Sequence, residues 1–496
     1  MNRNLVAALL VTAIVVAGGS LSAYYLGVFA SERIEIQGGI VLSESESNLV
    51  IWSYSPEIRI DFNGFEGTVV VRNCVADAMV IGVDYYERIG GSTITFDTGS
   101  ANDEVAIEPP RKEAFSFAVM GDSQGYNHML AEILSRLDGC EFALMCGDVT
   151  PSGTPDEYLA FWETVSQSSV PVYCTAGNHD VRNSGALGYA AVLGSPQFSF
   201  DFGGVRFAVV DSSDLNMTEE RATWARDVFE GAEYKVMMTH APPYDPFDND
   251  HTLQEDSCGR LIELVESEEV DAVFTGHIHA YNHTIIAGTD FIISGGAGAT
   301  MVEGEHHFVK VAFDPASTFS FEKCEVIADD PVPSHITLTG RDGESVDMSF
   351  EDLLSLPQET GYSSFENYYG NIGGEGDYSG VAVESLLTFV GGMDEGDLLR
   401  VTAADGYSQD FGYLNVYPEE SWLEMQGIMI IALSMDSIDT PDWGEGPKLL
   451  MLAPDGLYSN SDCEATSYDD QGYAVYPSAG ARWVKNVMTI QVIPCP

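Results

Sequence analysis

Positive charge is what this chain has least of: its 496 residues carry 21 lysines and arginines against 77 aspartates and glutamates, a net charge of -56. Lys112, Lys235, Lys310, Lys323, Lys448 and Lys485 are the only lysines. Such a surface repels the backbones of nucleic acids and anionic lipids, so nucleic-acid binding is not expected. It keeps a protein soluble where salt screens the repulsion, which suits either a salty exterior or a generally acidic proteome. The eight cysteines contain no Cys-x-x-Cys, so neither a zinc ribbon nor a thioredoxin-type redox motif is indicated. Cys146 and Cys174 end apolar runs and read as small buried hydrophobes, whereas Cys463 and Cys495 share the last domain and could pair if the body is exported. Long apolar runs are absent except from Leu5 to Ala30, which follows Arg3. Spanning a bilayer takes about 20 residues, so 1–30 is expected to be a signal or, more in keeping with its length, an uncleaved membrane anchor with the body outside the cytoplasm.

Five stretches of this sequence share one build, an apolar strand-like run that stops abruptly in residues able to bind a metal. Phe117 to Met120 runs into Gly121-Asp122-Ser123-Gln124, and Phe142 to Cys146 into Gly147-Asp148. Val170 to Cys174 precedes Thr175-Ala176-Gly177-Asn178-His179-Asp180, Val236 to Thr239 runs into His240, and Val270 to Thr275 into Gly276-His277-Ile278-His279. Asn178 offers a carbonyl oxygen, His179 can move a proton near neutral pH, and Asp180 can orient that imidazole or tune its basicity. Ligands at the carboxyl ends of strands are expected at the binding edge of an open α/β sheet.

In this order the blocks resemble the calcineurin-like metallophosphoesterase superfamily over roughly residues 113–328. The resemblance implies an α/β fold, a four-layer β-sandwich flanked by helices, and hydrolysis of phosphate esters. It further implies that Asp148 bridges two divalent cations (Mn, Fe or Zn), that Asp122, Gln124 and His279 complete one site, and that Asn178, His240 and His277 complete the other. Two such ions about 3.5–4 Å apart supply positive charge and activate a water. His179 would protonate the leaving oxygen. Gln124 departs from the more usual His, so the first site should bind its metal more weakly or take Mn²⁺ more readily. The domain is similar to purple acid phosphatases from Gly276 to Tyr281, yet Val149-Thr150-Pro151 follows Asp148 where that branch has a Tyr ligand, which argues against a purple Fe(III) centre. His128, His251, His283, His306, His307 and His335 read as surface or supporting residues, with His251 and His283 the nearest to the site.

Inside the central domain, helices are expected over Tyr126 to Leu137, Glu157 to Ser166 with Pro155-Asp156 preceding it, Thr218 to Phe229 and Arg260 to Glu268, and a hairpin around Gly203-Gly204. On its flanks, residues 31–112 alternate short apolar runs with turn signals, as a small antiparallel β-sandwich does. Residues 334–496 follow the linker Asp329-Asp330-Pro331-Val332-Pro333 and resemble the α+β molybdopterin-binding domain of the sulfite-oxidase family, through Ile336 to Gly340, Tyr378 to Val381 and Ala481 to Lys485. That family's ligating Cys is missing, since no Cys occurs between Cys324 and Cys463. The fold therefore carries over without the cofactor, as molybdenum there needs the thiolate.

Three readings follow: a two-metal phosphoesterase outside the cell, a non-catalytic metal- and anion-binding surface protein with a degenerate site at Gln124, or a redox enzyme centred on the last domain. The intact Asn178-His179-Asp180 triplet favours the first, and the missing Cys disfavours the third. Protein made in molybdenum-replete cells is expected to contain neither molybdenum nor pterin; elemental analysis finding either in stoichiometric amount would overturn the cofactor-free reading.

Overall fold

The computed structural model describes residues 34–495 apart from 183–184, 248–249, 328–332, 369, 405, 469–470 and 472–477. The expected anchor lies outside the described residues, among which no helix is long and apolar enough to cross a membrane. The chain divides into two compact units between residues 328 and 329.

The central part of the first unit is an α/β sandwich of two sheets. One has the strand order Val172–Cys174, Ala143–Met145, Phe115–Met120, His307–Asp314, Thr318–Glu325. The other runs Phe198–Phe202, Val205–Val209, Tyr234–Met238, Ala272–Thr275, Thr289–Ser294, Tyr281–Ile286. The strands that lead into the five motifs are all among the parallel ones of each sheet, so all five motifs emerge at carboxyl ends. Aromatic rings fill the space between the sheets: Phe117 stacks on Phe142 with centroids 5.2 Å apart and meets Phe207 edge-on at 5.4 Å. The outer faces are covered by helices, Asn127–Ser135, Pro155–Val165 and Gly185–Val192 on the first sheet and Glu219–Phe229 and Glu255–Ser267 on the second. The layers therefore read helix, sheet, sheet, helix.

Two helix starts differ from the sequence reading, and one helix is new. Pro155 lies inside its helix, at the first turn where its missing N–H costs nothing, and Glu157 folds back to accept from the Thr154 N–H at 3.0 Å. The later helix starts at Glu255 rather than Arg260, with Glu255 and Asp256 in the first turn where acidic side chains meet free N–H groups. Helix Gly185–Val192 was not anticipated. Its buried stripe is Gly185, Gly188, Tyr189 and Val192, helical in spacing but half glycine, which a count of apolar side chains overlooks.

The N-terminal module is a two-sheet sandwich, but not purely antiparallel: Asn48–Ser53 pairs with Thr68–Arg72 in parallel. Strands Gly39–Glu44, Glu87–Ile89 and Ala101–Glu108 belong to it as well. Its apolar face is continuous with the central core, Leu49, Ile60 and Val69 belonging to the same buried cluster as Phe117, Phe142 and Phe207. Asn73 fastens the two. This residue has a left-handed backbone (φ 64°), is 3% exposed, and its amide donates to the carbonyls of Ser53 at 2.7 Å and Val172 at 2.8 Å while its Oδ1 accepts from the Val172 N–H at 2.9 Å.

The second unit has two five-stranded sheets around one core. Cys463 is buried and Cys495 exposed, and both are free thiols, as are the other six cysteines, so the pairing left open above does not occur. Cys463 instead packs in the apolar core of that unit, where burial pushes its thiol pKa up.

Replacing Asn73 with Ala would leave a buried N–H and two buried carbonyls without that partner and place a Cβ-only side chain in a left-handed conformation. A buried group stranded this way costs about 1–3 kcal/mol. Urea unfolding of Asn73→Ala is therefore expected to show a loss of about 2–4 kcal/mol, and a loss below about 0.5 kcal/mol, the range of ordinary surface changes, would mean that the clamp is dispensable.

Candidate active site

Backbone hydrogen bonds between the motif loops set the site before any side chain is considered. Asp122 N–H donates to the Gly147 carbonyl and Gln124 N–H to the Asp148 carbonyl, both at 3.0 Å, and Gly276 N–H to the His240 carbonyl at 2.9 Å. Four of the seven expected ligands have left-handed backbones: Asp122 (φ 63°), Gln124 (41°), Asp148 (53°) and His277 (67°). Asp and His are among the residues that tolerate this region best, and Gln is not. Each such residue costs on the order of 1–3 kcal/mol, a strain that clusters at functional sites. Two glycines permit the crowding. A Cβ on Gly177 would collide with Asp148 Oδ1, and one on Gly276 with Asp122 Oδ2.

Asp148 is the shared centre. It is 1% exposed; its Oδ1 accepts from the His179 N–H at 2.8 Å and lies 3.5 Å from His240 Nε2, while Oδ2 is 3.2 Å from Gln124 Nε2. On one side stand Asp122, Gln124 and His279, with His279 Nε2 3.7 Å from Asp122 Oδ1 and 3.2 Å from Gln124 Nε2. On the other stand Asn178, His240 and His277: His240 Nε2 is 3.0 Å from Asn178 Oδ1 and 3.2 Å from His277 Nδ1. Asp148, His240 and His277 present ligand atoms within 4.8 Å of one another. All seven expected metal ligands are thus brought together, in the expected grouping of three and three around Asp148.

The outward nitrogens are held by carbonyls, which only accept. His240 Nδ1–H donates to Cys146 O at 2.8 Å and His279 Nδ1–H to Thr300 O at 3.0 Å, so both Nε2 atoms carry lone pairs aimed inward. Burial, then the neighbouring His240, lowers the His277 pKa to about 3, and burial lowers that of His279 as well. Burial, then the charge of Asp148, pushes Asp122 well above the usual carboxylate range. Burial also pushes Asp148 up, but His240, His179 and the His179 N–H outweigh it and hold its pKa below normal. Two buried carboxylates facing neutral imidazoles and amide groups form a set of anionic and lone-pair donors that fits divalent cations of the Mn, Fe or Zn kind. Gln124 turns its amide nitrogen, not its oxygen, toward Asp148 and His279, so its use as a ligand requires the amide to rotate by half a turn.

His179 stands at the rim of this cluster, 24% exposed in its side chain, with Nε2 4.0 Å from Asp148 Oδ2. Asp180 does not orient it, contrary to the sequence reading. The Asp180 carboxylate points the other way and accepts from Val149 N–H, Thr150 N–H, Thr150 Oγ1 and Gly177 N–H at 2.9–3.3 Å. His179 instead donates from Nδ1 to the Pro151 carbonyl at 2.8 Å, and its Nε2 accepts from the guanidinium of Arg182 at 2.9 Å. Its pKa is lowered, by burial first, with Arg182 adding to the effect and Asp148 opposing it. Sequence reasoning missed Arg182, since a lone exposed Arg three positions after a His carries no local signal.

Of the remaining histidines, the ring of His251 lies 5.6 Å from that of His277, and His283 pairs with Asp290 at 2.7 Å, away from the ligands. His307 is a core residue rather than a surface one, its Nδ1 bonded to the Glu305 carbonyl at 2.9 Å.

The sequence profile of calcineurin-like phosphoesterases matches residues 115–281, so the chain carries a calcineurin-like metallophosphoesterase domain. Among curated proteins, the chain is similar to purple acid phosphatase 18 of Arabidopsis thaliana, 25% identical over 231 residues that cover 40% of this chain and 50% of that one. It is also similar to a probable glycerophosphodiester phosphodiesterase GpdQ of Arcobacter nitrofigilis, 27% identical over 160 residues, 29% of this chain and 59% of the other. The chain spans about half to three fifths of the length of these relatives. A purple acid phosphatase from yellow lupin seeds, PPD1, superposes over 66% of this chain and 72% of its own at 15% identity, with a TM-score of 0.37.

Because a side chain at position 177 would displace the Asp148 carboxylate, Gly177→Ala is expected to lose bound metal by tenfold or more, about 1.4 kcal/mol of binding, while its circular dichroism stays native. Full metal content in this variant would show that the loop can retreat without consequence.

Proposed function

We propose that this protein hydrolyses phosphate esters, monoesters or diesters, with the help of two divalent metal ions. The observation that carries this reading is the gathering of Asp122, Gln124 and His279 with Asn178, His240 and His277 around a single buried carboxylate, Asp148, whose two oxygens face Gln124 and His240. Bound cations would supply the positive charge that an ester's phosphoryl group needs in so acidic a protein and would activate the attacking water. The chain's own residues do the rest. Carbonyls behind His240 and His279 fix which ring nitrogens face the ions. His179, next in sequence to Asn178 yet not needed for coordination, faces the open rim and is positioned to give a proton to the departing oxygen. For that its Nε2, which accepts from Arg182 here, must be released and take up a proton.

On this reading the body works outside the cell, held by the apolar segment 1–30, as the positive-inside rule suggests. The C-terminal unit serves as a scaffold with a sulfite-oxidase-type fold and no cofactor, supported by the absence of any thiol between Cys324 and Cys463.

The test uses leaving groups. An alkoxide departs poorly without a proton, whereas a nitrophenolate departs readily without one. General acid catalysis is typically worth about 10²–10⁴-fold, so His179→Ala is expected to lose on that order with alkyl esters and much less with nitrophenyl esters, at unchanged metal content. Equal losses on both would refute the acid role, and absence of any metal-dependent turnover in the wild type would refute the hydrolase.

A further inference from the structure

Basic side chains are few, 21 against 77 acidic ones, and acidic partners are everywhere. Most described cations have taken one: Arg136 pairs with Glu132 at 2.6 Å, Arg221 with Asp214 at 2.6 Å, and Arg400 with Asp410 at 2.9 Å. Arg182 has not. Among the described residues it has no carboxylate partner, and its guanidinium donates at 2.9 Å to His179 Nε2, an uncharged acceptor. That nitrogen lies 4.0 Å from Asp148 Oδ2, so a solvent-exposed cation stands one hydrogen bond from the ligand cluster.

The arrangement is electrostatically incomplete. A guanidinium has five N–H donors in a planar fork suited to paired oxygens, and an imidazole lone pair can take one. A phosphoryl group offers two or three non-bridging oxygens and a formal charge, so exchange of His179 for phosphate gains charge-assisted bonds. The same exchange frees His179 Nε2 to take up a proton and face the leaving oxygen. In a site lined by the buried carboxylates of Asp122, Asp148 and Asp180, this is the one arginine that the structure joins to the cluster among the described residues.

We propose that Arg182 is a phosphate-binding residue of this site, swapping the His179 ring for the substrate's non-bridging oxygens and favouring the dianion of a phosphomonoester over the monoanion of a diester. The inference rests on the hydrolase reading above, but its test does not require turnover. Full-length Mn²⁺-loaded protein, wild type, R182A and R182K, would be titrated with inorganic phosphate by calorimetry and assayed with nitrophenyl phosphate and bis(nitrophenyl) phosphate. Loss of a charge-assisted pair should weaken phosphate binding in R182A roughly 10–100-fold. KM for the monoester should rise comparably with a smaller change in kcat, the diester should be less affected, and metal content should not change. R182K should recover part of the affinity, since it restores the charge but not the fork. Unchanged phosphate affinity in R182A, or equal losses for the two ester classes, would overturn the proposal. If the wild type binds phosphate but turns over neither ester, the hydrolase reading fails, while weaker phosphate binding in R182A still supports Arg182 as its ligand.

Discussion

One buried carboxylate that touches neither metal position holds the site in shape. Asp180 is fully buried and accepts four hydrogen bonds, from Val149 N–H, Thr150 N–H, Thr150 Oγ1 and Gly177 N–H, with no cation pairing with it among the described residues. Those donors belong to two different loops, one following Asp148 and the other preceding Asn178. The bonds draw the loops so close that only glycine fits at 177. Burial, then the charge of Asp148, raises the Asp180 pKa to about 7, and the donors on Gly177 and Thr150 pull the other way. An amide at this position would offer hydrogens to groups that already bring their own, so shape alone could not replace the carboxylate.

Charge runs through the rest of the site in the same way. Asp122, Asp148 and Asp180 crowd three buried carboxylates together, and burial holds the nearby imidazoles of His277 and His279 neutral. Protein hydrogen bonds alone do not neutralise such a cluster, so without cations part of it must hold protons, and the raised pKa of Asp122 is the expression of that deficit. Left-handed backbone at four ligand positions adds strain that binding energy can repay.

Much of this was legible in the sequence, for a definite reason. Strands that stop in Gly-Asp, Gly-Asn-His-Asp or Gly-His-x-His announce both the parallel sheets and the ligands at their edges, because the turn chemistry and the metal chemistry sit in adjacent residues. What could not be read was the direction in which a side chain leaves a turn. Asp180 follows His179 in sequence and faces away from it, while Arg182 folds back onto it. The inward amide nitrogen of Gln124 is equally silent in sequence, as are the glycine-based stripe of helix Gly185–Val192 and the parallel pairing of Asn48–Ser53 with Thr68–Arg72, which depend on partners far along the chain.

The seam between the N-terminal sandwich and the central sheets is closed by a common apolar core and by the Asn73 side chain, which bonds both faces of Val172 at the start of the strand that ends just before Asn178. A module attached in this way is not cargo. Recombination that cut the gene near residue 112 and joined the metal-binding half to a different partner would expose the underside of its sheet and unfasten the strand behind one of its ligands. Such a lineage would be expected to pass the two modules on together.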